Sequence, residues 1–266
     1  MKNIRVNGKP LATDAASLYA LREKGAETVA ILNGYQTAED LPLKDGDEVV
    51  LIRKGEFPPR DAFEAMLCAR HTPGVYEKVK NVRVAVAGLG GLGSAVALHL
   101  ARTGVGYLHL IDFDVVEPSN LNRQQYRVSH LGLPKAEALR LEIADVNPFV
   151  RVEAECVRLN GQNAAKLLKH DKIVCEAFDD PEAKAMLVNA LLSECPETYI
   201  VASSGMAGYG SANEIRTRRA MNRLYICGDE KTGAQPGCGL MSPRVGVCAG
   251  HQANMALRII LDEMEA

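Results

Sequence analysis

The chain has 266 residues, 47% of them hydrophobic, so it can bury one large core with or without a small additional module. A formal net charge of -2 provides no general attraction for nucleic acids or acidic membrane surfaces. Since the N-terminus is polar and no apolar run approaches the length of a membrane span, we expect a cytoplasmic protein without a membrane partner.

The seven cysteines are scattered, and no C-x-x-C pair occurs among them. An odd number without paired spacing favours neither a disulfide framework nor a zinc knuckle, so zinc is not an expected cofactor. A reducing compartment is consistent with this pattern.

The first part of the chain alternates strand and helix patterns. KNIRVNG, from residue 2, alternates polar and apolar residues as a half-buried strand does. Apolar spacing predicts a helix over residues 15–24, with Gly25 just past its end. The strand candidates TVAILNG and DEVVLIRK follow, with turn-forming Asp45-Gly46 between them. This order predicts a small α+β, ubiquitin-like β-grasp module.

A linker is predicted next, because KGEFPPRD at residues 54–61 is charged and interrupted by proline. We therefore expect a β-grasp domain over residues 1–57 and a second domain over residues 58–266. From Val82 onward, strands alternate with helices, and VRVAVAG is continuously apolar, as in a parallel sheet covered on both faces. The alternation predicts a doubly wound, Rossmann-like α/β domain.

The sequence GLGGLG at residues 88–93 follows a strand and opens a helix, the context in which such loops bind phosphate. Gly88 permits the tight turn, and Gly90 lets the backbone approach a phosphate. Gly91 adds an unobstructed N–H group, and Gly93 allows close packing of helix on sheet. The helix N-terminus attracts the anion. A glycine turn without a ligand is the alternative interpretation.

The next strand ends in Asp112, which is expected to accept hydrogen bonds from ribose hydroxyls. An NAD enzyme would share these features, but the polar segment that follows would spoil an apolar nicotinamide pocket. Arg123 and Lys135 instead supply the fixed cations that nucleotidyl transfer needs, so ATP is favoured. The segment contributes the further candidates Asp114, Asn120, Asn122, Arg123 and Gln124.

Asp179 and Asp180 follow another strand, KIVCEAF. A carboxylate beside a triphosphate is repulsive unless a metal ion lies between them, so we expect Asp179 to bind Mg²⁺. Alternatively, these acids cap the helix that begins at Pro181, and Arg123 and Lys135 are solvated surface cations. The convergence of three strand ends on one crevice favours the nucleotide site.

GLGGLGS, LIDFDVVEPSNLNRQ, GLPKAEAL and EAFDD occur in this order, and together they resemble the ThiF/MoeB/ubiquitin-activating-enzyme family over residues 82–266. The closest resemblance is to ThiF. It implies an ATP- and Mg²⁺-dependent adenylyltransferase that activates the C-terminal carboxylate of a ubiquitin-like sulfur carrier as an acyl-adenylate. In this interpretation Arg123 and Lys135 steady the α-phosphate and Asp179 holds Mg²⁺. The implied ATP site comprises Gly91, Asp112, Ser119, Asn120, Asn122, Arg123, Lys135, Asp179 and Asp180.

The N-terminal module resembles ThiS, the sulfur carrier of thiamine synthesis, in IRVNGKPL and LPLKDGDEVVLI. A carrier must end in Gly-Gly, whereas here Lys54-Gly55-Glu56 continues into the linker, so the module is not expected to be the substrate. It is either a degenerate carrier used for docking or regulation, or a structural appendage. The resemblance favours activation of a separate ThiS-type carrier for thiamine biosynthesis by a homodimer, with a sulfur-donor protein as a further partner.

The chain departs from the family pattern in three places. The C-x-x-C zinc ligands of many relatives are missing, and Asp180 replaces a usual asparagine. Arg70 is the candidate for an arginine that reaches into a partner subunit's site, although the sequence around it matches the family poorly.

The last third of the chain carries candidates for carrier binding and sulfur transfer. The glycine- and proline-rich segment that begins at residue 228 is expected to be a mobile lid or crossover loop. Cys227 is the first candidate for a sulfur-transfer thiol and Cys238 the second, with simple burial of Cys227 as the alternative. Four arginines would attract an acidic carrier or lie on solvated strand faces: Arg216, Arg218, Arg219 and Arg223.

Other functions remain open. The same adenylation chemistry could serve a molybdopterin carrier or a tRNA-modifying dehydratase, although the low basicity argues against a nucleic-acid partner. A nucleotide-binding scaffold without turnover is a third hypothesis, and a hydride-transfer enzyme a fourth.

Overall fold

The computed structural model describes residues 1–22, 28–53, 55–72 and 74–266 of the chain. These residues form two compact units, Met1–Tyr76 and Glu77–Ala266. The compact units therefore divide at residues 76 and 77, whereas the sequence places a domain boundary after residue 57.

The first unit is built on one five-stranded sheet. Its strand order is β2-β1-β5-β3-β4, with β1 antiparallel to β2 and parallel to β5. The strands are β1 (Lys2–Val6), β2 (Lys9–Thr13), β3 (Thr28–Leu32), β4 (Tyr35–Thr37) and β5 (Glu48–Arg53). The β1–β2 hairpin on one side of β5 and the β3–β4 hairpin on the other confirm the predicted ubiquitin-like arrangement.

The helix predicted over residues 15–24 is wrong in part. A 3₁₀ helix, Leu18–Leu21, occupies the region, and residues 23–27, including the predicted helix end at Gly25, lie outside the described part of the chain. Asp40 accepts hydrogen bonds from the Tyr19 N–H at 2.7 Å and from the Ser17 hydroxyl at 3.0 Å. Because the Tyr19 N–H bonds to this distant carboxylate, it does not donate to the carbonyl four residues earlier, as an α-helix over residues 15–24 would require.

Helix α1 (Arg60–Cys68) follows β5 and belongs to the first unit. Its Ala65 is buried in one apolar cluster with Ile31 of β3 and Val50 of β5. Arg70, the candidate for an arginine that reaches a partner subunit's site, donates to the side chain of Gln36 within its own unit.

The second unit contains a seven-stranded sheet of order β11-β12-β10-β9-β6-β7-β8, parallel except for the antiparallel β11. The strands are β6 (Arg83–Ala87), β7 (Tyr107–Ile111), β8 (Arg151–Glu155), β9 (Ile173–Glu176), β10 (Tyr199–Ser203), β11 (Arg216–Met221) and β12 (Leu224–Gly228). Short α2 (Val75–Val79) contains the division between the units, and the later helices are α3 (Gly91–Thr103), α4 (Lys135–Val146), α5 (Ala164–Leu168), α6 (Pro181–Glu194) and α7 (Ser242–Ile260).

Helices cover both faces of this sheet. Ala85 and Ala87 of β6 pack in one cluster with Leu168 of α5 and Leu187 of α6. On the other face α3 packs against α4 and α7. The continuous apolar strand β6 is buried because both faces are covered, and the predicted doubly wound domain is confirmed.

Within the described residues, none of the helices combines the length and the apolar character that crossing a bilayer requires.

Candidate functional site

A cavity of about 540 Å³ lies at the carboxyl ends of β6, β7, β9 and β10. The glycine loop, the segment after β7 and the turn before α6 line it, and residues 203–206 and 232–234 add to its wall. The three predicted strand ends therefore do converge on one crevice. Of the predicted residues, the lining includes Gly88, Gly90, Gly91, Asp112, Asp114, Asn120, Arg123, Gln124, Lys135, Asp179 and Asp180.

The glycine loop needs its glycines for different reasons. Gly88 has φ +88°, and a Cβ there would lie 2.9 Å from the Ala177 carbonyl carbon. A Cβ on Gly93 would lie 1.9 Å from the Gly88 oxygen, so this glycine permits close packing of α3 on the loop. A Cβ on Gly90 would lie 3.9 Å from the nearest side-chain atom, so this glycine leaves open space beside the helix N-terminus.

The Asp112 carboxylate holds the glycine loop. One of its oxygens accepts from the Leu89 N–H at 2.6 Å and the other from the Asp114 N–H at 2.8 Å. The buried Tyr126 donates its hydroxyl to the Leu89 carbonyl at 2.7 Å, and burial raises the pKa of this phenol, which keeps it a donor. Asp112 thus positions the glycine loop, a role that the sequence did not indicate. This role is additional to any contact of Asp112 with a ribose.

Arg123 and Lys135, the two cations predicted for the site, both line the cavity. The nearly buried Lys135 places Nζ 3.0 Å from an Asp114 carboxylate oxygen. Arg123 donates through Nη1, while its buried Nε has no hydrogen-bond partner in the described part of the chain. The buried Gln124 Oε1 is also without a partner there. An unpaired donor and an unpaired acceptor on the cavity wall are groups that a polar ligand would satisfy.

Of the three predicted residues at 119–122, one lines the cavity and two contact the side chain of Arg123. Asn120 lines the cavity, and its side-chain oxygen accepts from the Glu117 N–H at 3.0 Å. Ser119 and Asn122 are absent from the lining and instead accept from Arg123 Nη1, through the Ser119 carbonyl at 3.2 Å and the Asn122 amide oxygen at 2.8 Å. They therefore orient Arg123.

The two neighbouring acids have different roles. Asp180 is the N-cap of α6, and its side chain accepts from the Ala183 N–H at 2.9 Å. Asp179 is exposed on the cavity wall and does not cap the helix. The capping alternative therefore explains only Asp180, and it leaves the Asp179 carboxylate available to a cation.

A buried ion pair beneath the cavity was missed in the sequence. Lys184 Nζ lies 3.0 Å from both carboxylate oxygens of Glu176 and donates to the Ser203 hydroxyl at 2.9 Å. Burial raises the pKa of Glu176, against the opposing charge of Lys184. Both Lys184 and Ser203 line the cavity. The available signal was an acidic residue at the end of the apolar strand β9, since such a residue needs a buried partner.

The segment after β12, expected to be mobile, is anchored by a second buried pair. Arg244 Nη2 of α7 lies 2.7 Å from an Asp229 oxygen, which also accepts from the Thr232 hydroxyl at 2.6 Å. Burial opposes the charge, but hydrogen bonds from Thr232, the Lys231 N–H and Arg244 hold the pKa of Asp229 well below its ordinary value. This pair fixes the part of the segment that carries the cavity-lining Thr232.

The candidate thiols lie outside the cavity wall. Cys227 is fully buried in β12, and although a hydrogen bond with Thr217 opposes it, burial raises the pKa of Cys227 to about 11. The alternative of simple burial is therefore favoured for Cys227, and an accessible thiolate is not. Cys238 is half-buried in a turn closed by hydrogen bonds to Gln235.

The four predicted arginines do not form one free basic surface. Arg218 makes two hydrogen bonds to Glu230, and Arg223 donates to the carbonyls of Cys195 and Thr198 at the end of α6. Arg219 donates to a carbonyl in its own hairpin, whereas Arg216 is exposed. Arg218 and Arg223 are therefore held by partners within the chain.

Comparison with known proteins decides the family. The ThiF family matches residues 64–266, and ThiS-like ubiquitin matches residues 2–55. The chain belongs to the ThiF family. The N-terminal match agrees with the fold of the first unit, and the resemblance inferred from the sequence motifs is confirmed.

Two curated relatives illustrate the relationship. The molybdopterin-synthase adenylyltransferase of Haemophilus influenzae is 30% identical over 194 residues, covering 70% of this chain and 77% of that protein. The adenylyltransferase and sulfurtransferase UBA4 of Saccharomyces cerevisiae is 32% identical, covering 69% of this chain. The match spans only 43% of the yeast protein's length. This ThiF-family chain is an adenylyltransferase.

Solved structures show the same fold. The tRNA N6-threonylcarbamoyladenosine dehydratase of E. coli, solved in complex with ATP, matches with a TM-score of 0.66 at 22% identity. The match covers 76% of this chain and 93% of that one. E. coli MccB, also solved with ATP, matches with a TM-score of 0.55 at 21% identity and covers 81% of this chain and 67% of that one.

Proposed function

We propose that this ThiF-family protein uses ATP to adenylate the C-terminal carboxylate of a ThiS-type sulfur carrier for thiamine biosynthesis. The observation that carries the proposal is the cavity where an open glycine loop, the cations Arg123 and Lys135 and the exposed Asp179 carboxylate meet. ATP fits this wall because Gly90 leaves open space beside the helix N-terminus, and Arg123 and Gln124 each present an unpaired buried polar atom.

In the proposed reaction a carrier carboxylate oxygen bonds to the α-phosphorus of ATP, the bond to the bridging oxygen breaks, and pyrophosphate leaves with the electron pair. Negative charge accumulates on the phosphoryl oxygens during this displacement. Arg123 and Lys135 would balance it, with Arg123 oriented by its bonds to Ser119 and Asn122. Lys135 keeps donor capacity beyond its contact with Asp114, because an ammonium group has three N–H bonds.

Magnesium belongs to the same proposal. Asp179 is an exposed carboxylate on the cavity wall, and carboxylate oxygen is a preferred ligand of Mg²⁺. A bound Mg²⁺ would supply neutralisation of the phosphate charge. Asp180 would contribute indirectly, because its side chain fixes the start of α6.

The ThiS-type substrate is supported by the chain's own first unit, which matches ThiS-like ubiquitin over residues 2–55. A molybdopterin carrier is the second candidate, because the Haemophilus influenzae relative is a molybdopterin-synthase adenylyltransferase. A homodimer and a separate sulfur-donor protein are further parts of the proposal.

Carrier-dependent exchange of labelled pyrophosphate into ATP tests this function. We expect exchange with a ThiS-type carrier ending in Gly-Gly, and no exchange when its last glycine is removed. If only a molybdopterin-type carrier supports exchange, that carrier is the substrate and the ThiS-type assignment is wrong. If no ubiquitin-like carrier supports exchange, while tRNA stimulates ATP hydrolysis, carrier adenylation is wrong.

A further inference from the structure

A second polar cluster lies on the face of the second unit's sheet, on strands rather than in the loops of the nucleotide cavity. It contains His109 of β7 and Glu153 and Glu155 of the edge strand β8. His109 pairs in register with Glu153, and Glu155 lies two residues farther along the same face of β8. Arg83 of β6, Asp171 just before β9 and Tyr107 of β7, whose hydroxyl donates to a Glu153 oxygen at 2.6 Å, also belong to the cluster.

His109 is fully buried, and its two ring nitrogens differ in their surroundings. Nδ1 lies 2.9 Å from an Asp171 carboxylate oxygen. Arg83 Nη2 is also 3.0 Å from Nδ1, but this guanidinium has carboxylate acceptors at 2.6 Å on Asp171 and 2.8 Å on Glu153. These distances are consistent with an Nδ1–H group that donates to Asp171. The other ring nitrogen, Nε2, then carries a lone pair.

That lone pair points into the acidic part of the cluster. Nε2 is buried without a hydrogen-bond partner in the described residues, and it lies 3.3 Å from a Glu155 oxygen. Ligand atoms of His109, Glu153 and Glu155 all lie within 4.8 Å of one another. Among the contacting groups three carboxylates, those of Glu153, Glu155 and Asp171, face the single guanidinium of Arg83, which leaves two negative charges. A divalent cation would balance them.

We propose that His109, Glu153 and Glu155 bind one divalent transition-metal ion, with Zn²⁺ as the best match. One imidazole and two carboxylates are three ligands of the type that zinc accepts, with a fourth position left for water. Asp171 would act as the outer carboxylate that fixes the histidine tautomer. The ion would cross-link edge strand β8 to β7, and its donors differ from the paired cysteines of zinc-binding relatives.

Titration of the chelator-treated full chain with Zn²⁺, followed by calorimetry, tests the site. We expect one ion per chain, and we expect Glu155→Gln to weaken binding about tenfold or more. Glu137→Gln is the matched control, because Glu137 is also a partly exposed glutamate but lies on α4, beside Arg140. That variant should bind Zn²⁺ as the parent does.

Co²⁺ provides a second readout, since a site of nitrogen and oxygen donors gives visible bands without thiolate charge-transfer absorption. If Glu155→Gln does not fold, as judged by circular dichroism, the more exposed Glu153→Gln replaces it. A thiolate band, equal Zn²⁺ affinity in the folded glutamate variants, or no stoichiometric binding would each overturn the proposal. If no stoichiometric binding is found, a proton on His109 Nε2 that is shared with Glu155 explains their 3.3 Å contact.

Discussion

Among single residues, two glycines of the loop have different roles: Gly88 is needed for folding, and Gly90 for the proposed ligand binding. Gly88 adopts φ +88°, and a Cβ there would lie 2.9 Å from backbone atoms of Ala177, whereas Gly90 has φ -69° and open space. A methyl group at Gly88 must therefore strain the fold, and one at Gly90 must occupy the space proposed for phosphate.

We expect Gly88→Ala to lower the free energy of unfolding by about 1–3 kcal/mol, as a strained backbone position does. Gly90→Ala should keep the parental stability but weaken ATP binding. Urea denaturation and nucleotide titration of both variants measure the two effects. Loss of stability in Gly90→Ala with unchanged ATP affinity would contradict the different roles assigned to the two glycines.

The two adjacent aspartates make a similar pair. Asp179→Ala should abolish pyrophosphate exchange with little change in stability, because Asp179 faces the cavity and does not cap α6. Asp180→Ala should lose about 1 kcal/mol of stability through the missing N-cap. Exchange assays and urea denaturation distinguish them, and near-normal exchange by Asp179→Ala would refute its proposed role.

Burial of Cys227 has a chemical consequence. Because burial raises the pKa of Cys227 to about 11, iodoacetamide at neutral pH should modify it only after unfolding. Cys156 is exposed and should be modified in the native protein. Peptide mass spectrometry compares the two rates, and equal labelling of native Cys227 would restore it as a sulfur-transfer candidate.

At the scale of elements, the segment between β12 and α7 is held by its buried ion pair. Asp229 bonds to Arg244 of α7 and to the Thr232 hydroxyl. A Cβ on Gly205 would lie 2.1 Å from the Asp229 carboxylate, so the loop after β10 packs directly against this anchor. This part of the cavity wall thus depends on the buried Asp229 carboxylate.

Asp229→Ala should lower the free energy of unfolding by about 3–5 kcal/mol, because it leaves Arg244 buried without its main counter-ion. Glu214→Ala is the control: Glu214 also lies 3.6 Å from Arg244, but its side chain is 64% exposed, so a loss below about 1 kcal/mol is expected. Urea denaturation of both variants measures the difference.

The loss of stability caused by Asp229→Ala should become smaller as the pH falls. The pKa of Asp229 is lowered in the folded state, so its contribution is present above the unfolded pKa, near 4, and is lost as pH falls toward the folded pKa. The stability difference between parent and Asp229→Ala should therefore shrink in acid. A difference that grows below pH 4 would contradict the proposed ionisation.

At the scale of the whole molecule, a carrier-like unit and an adenylyltransferase unit share one chain. Gly55 is followed by Glu56, so the first unit has no free glycine carboxylate at this point. We expect the full chain to catalyse no pyrophosphate exchange without an added carrier, and its intact mass to stay unchanged with ATP. Exchange by the chain alone would show that a carboxylate within it is a substrate.

The family, most of the order of helices and strands and most of the cavity lining could be predicted from the amino-acid sequence. Glycine spacing, apolar strands and polar strand ends are local signals, and the carboxyl ends of parallel strands meet at one edge whatever the details of packing. Asp112, Arg123 and Lys135 could be placed in the cavity for this reason.

The pairing of polar groups that are distant in the chain could not be predicted in this way. Lys184 meets Glu176, Arg244 meets Asp229, and Cys227 lies buried, because side-chain packing across elements determines these contacts. The helix predicted near residue 18 is a 3₁₀ turn in the described residues, since the Asp40 carboxylate competes for its backbone. Burial and pairing depend on neighbours remote in sequence, and local periodicity carries no information about them.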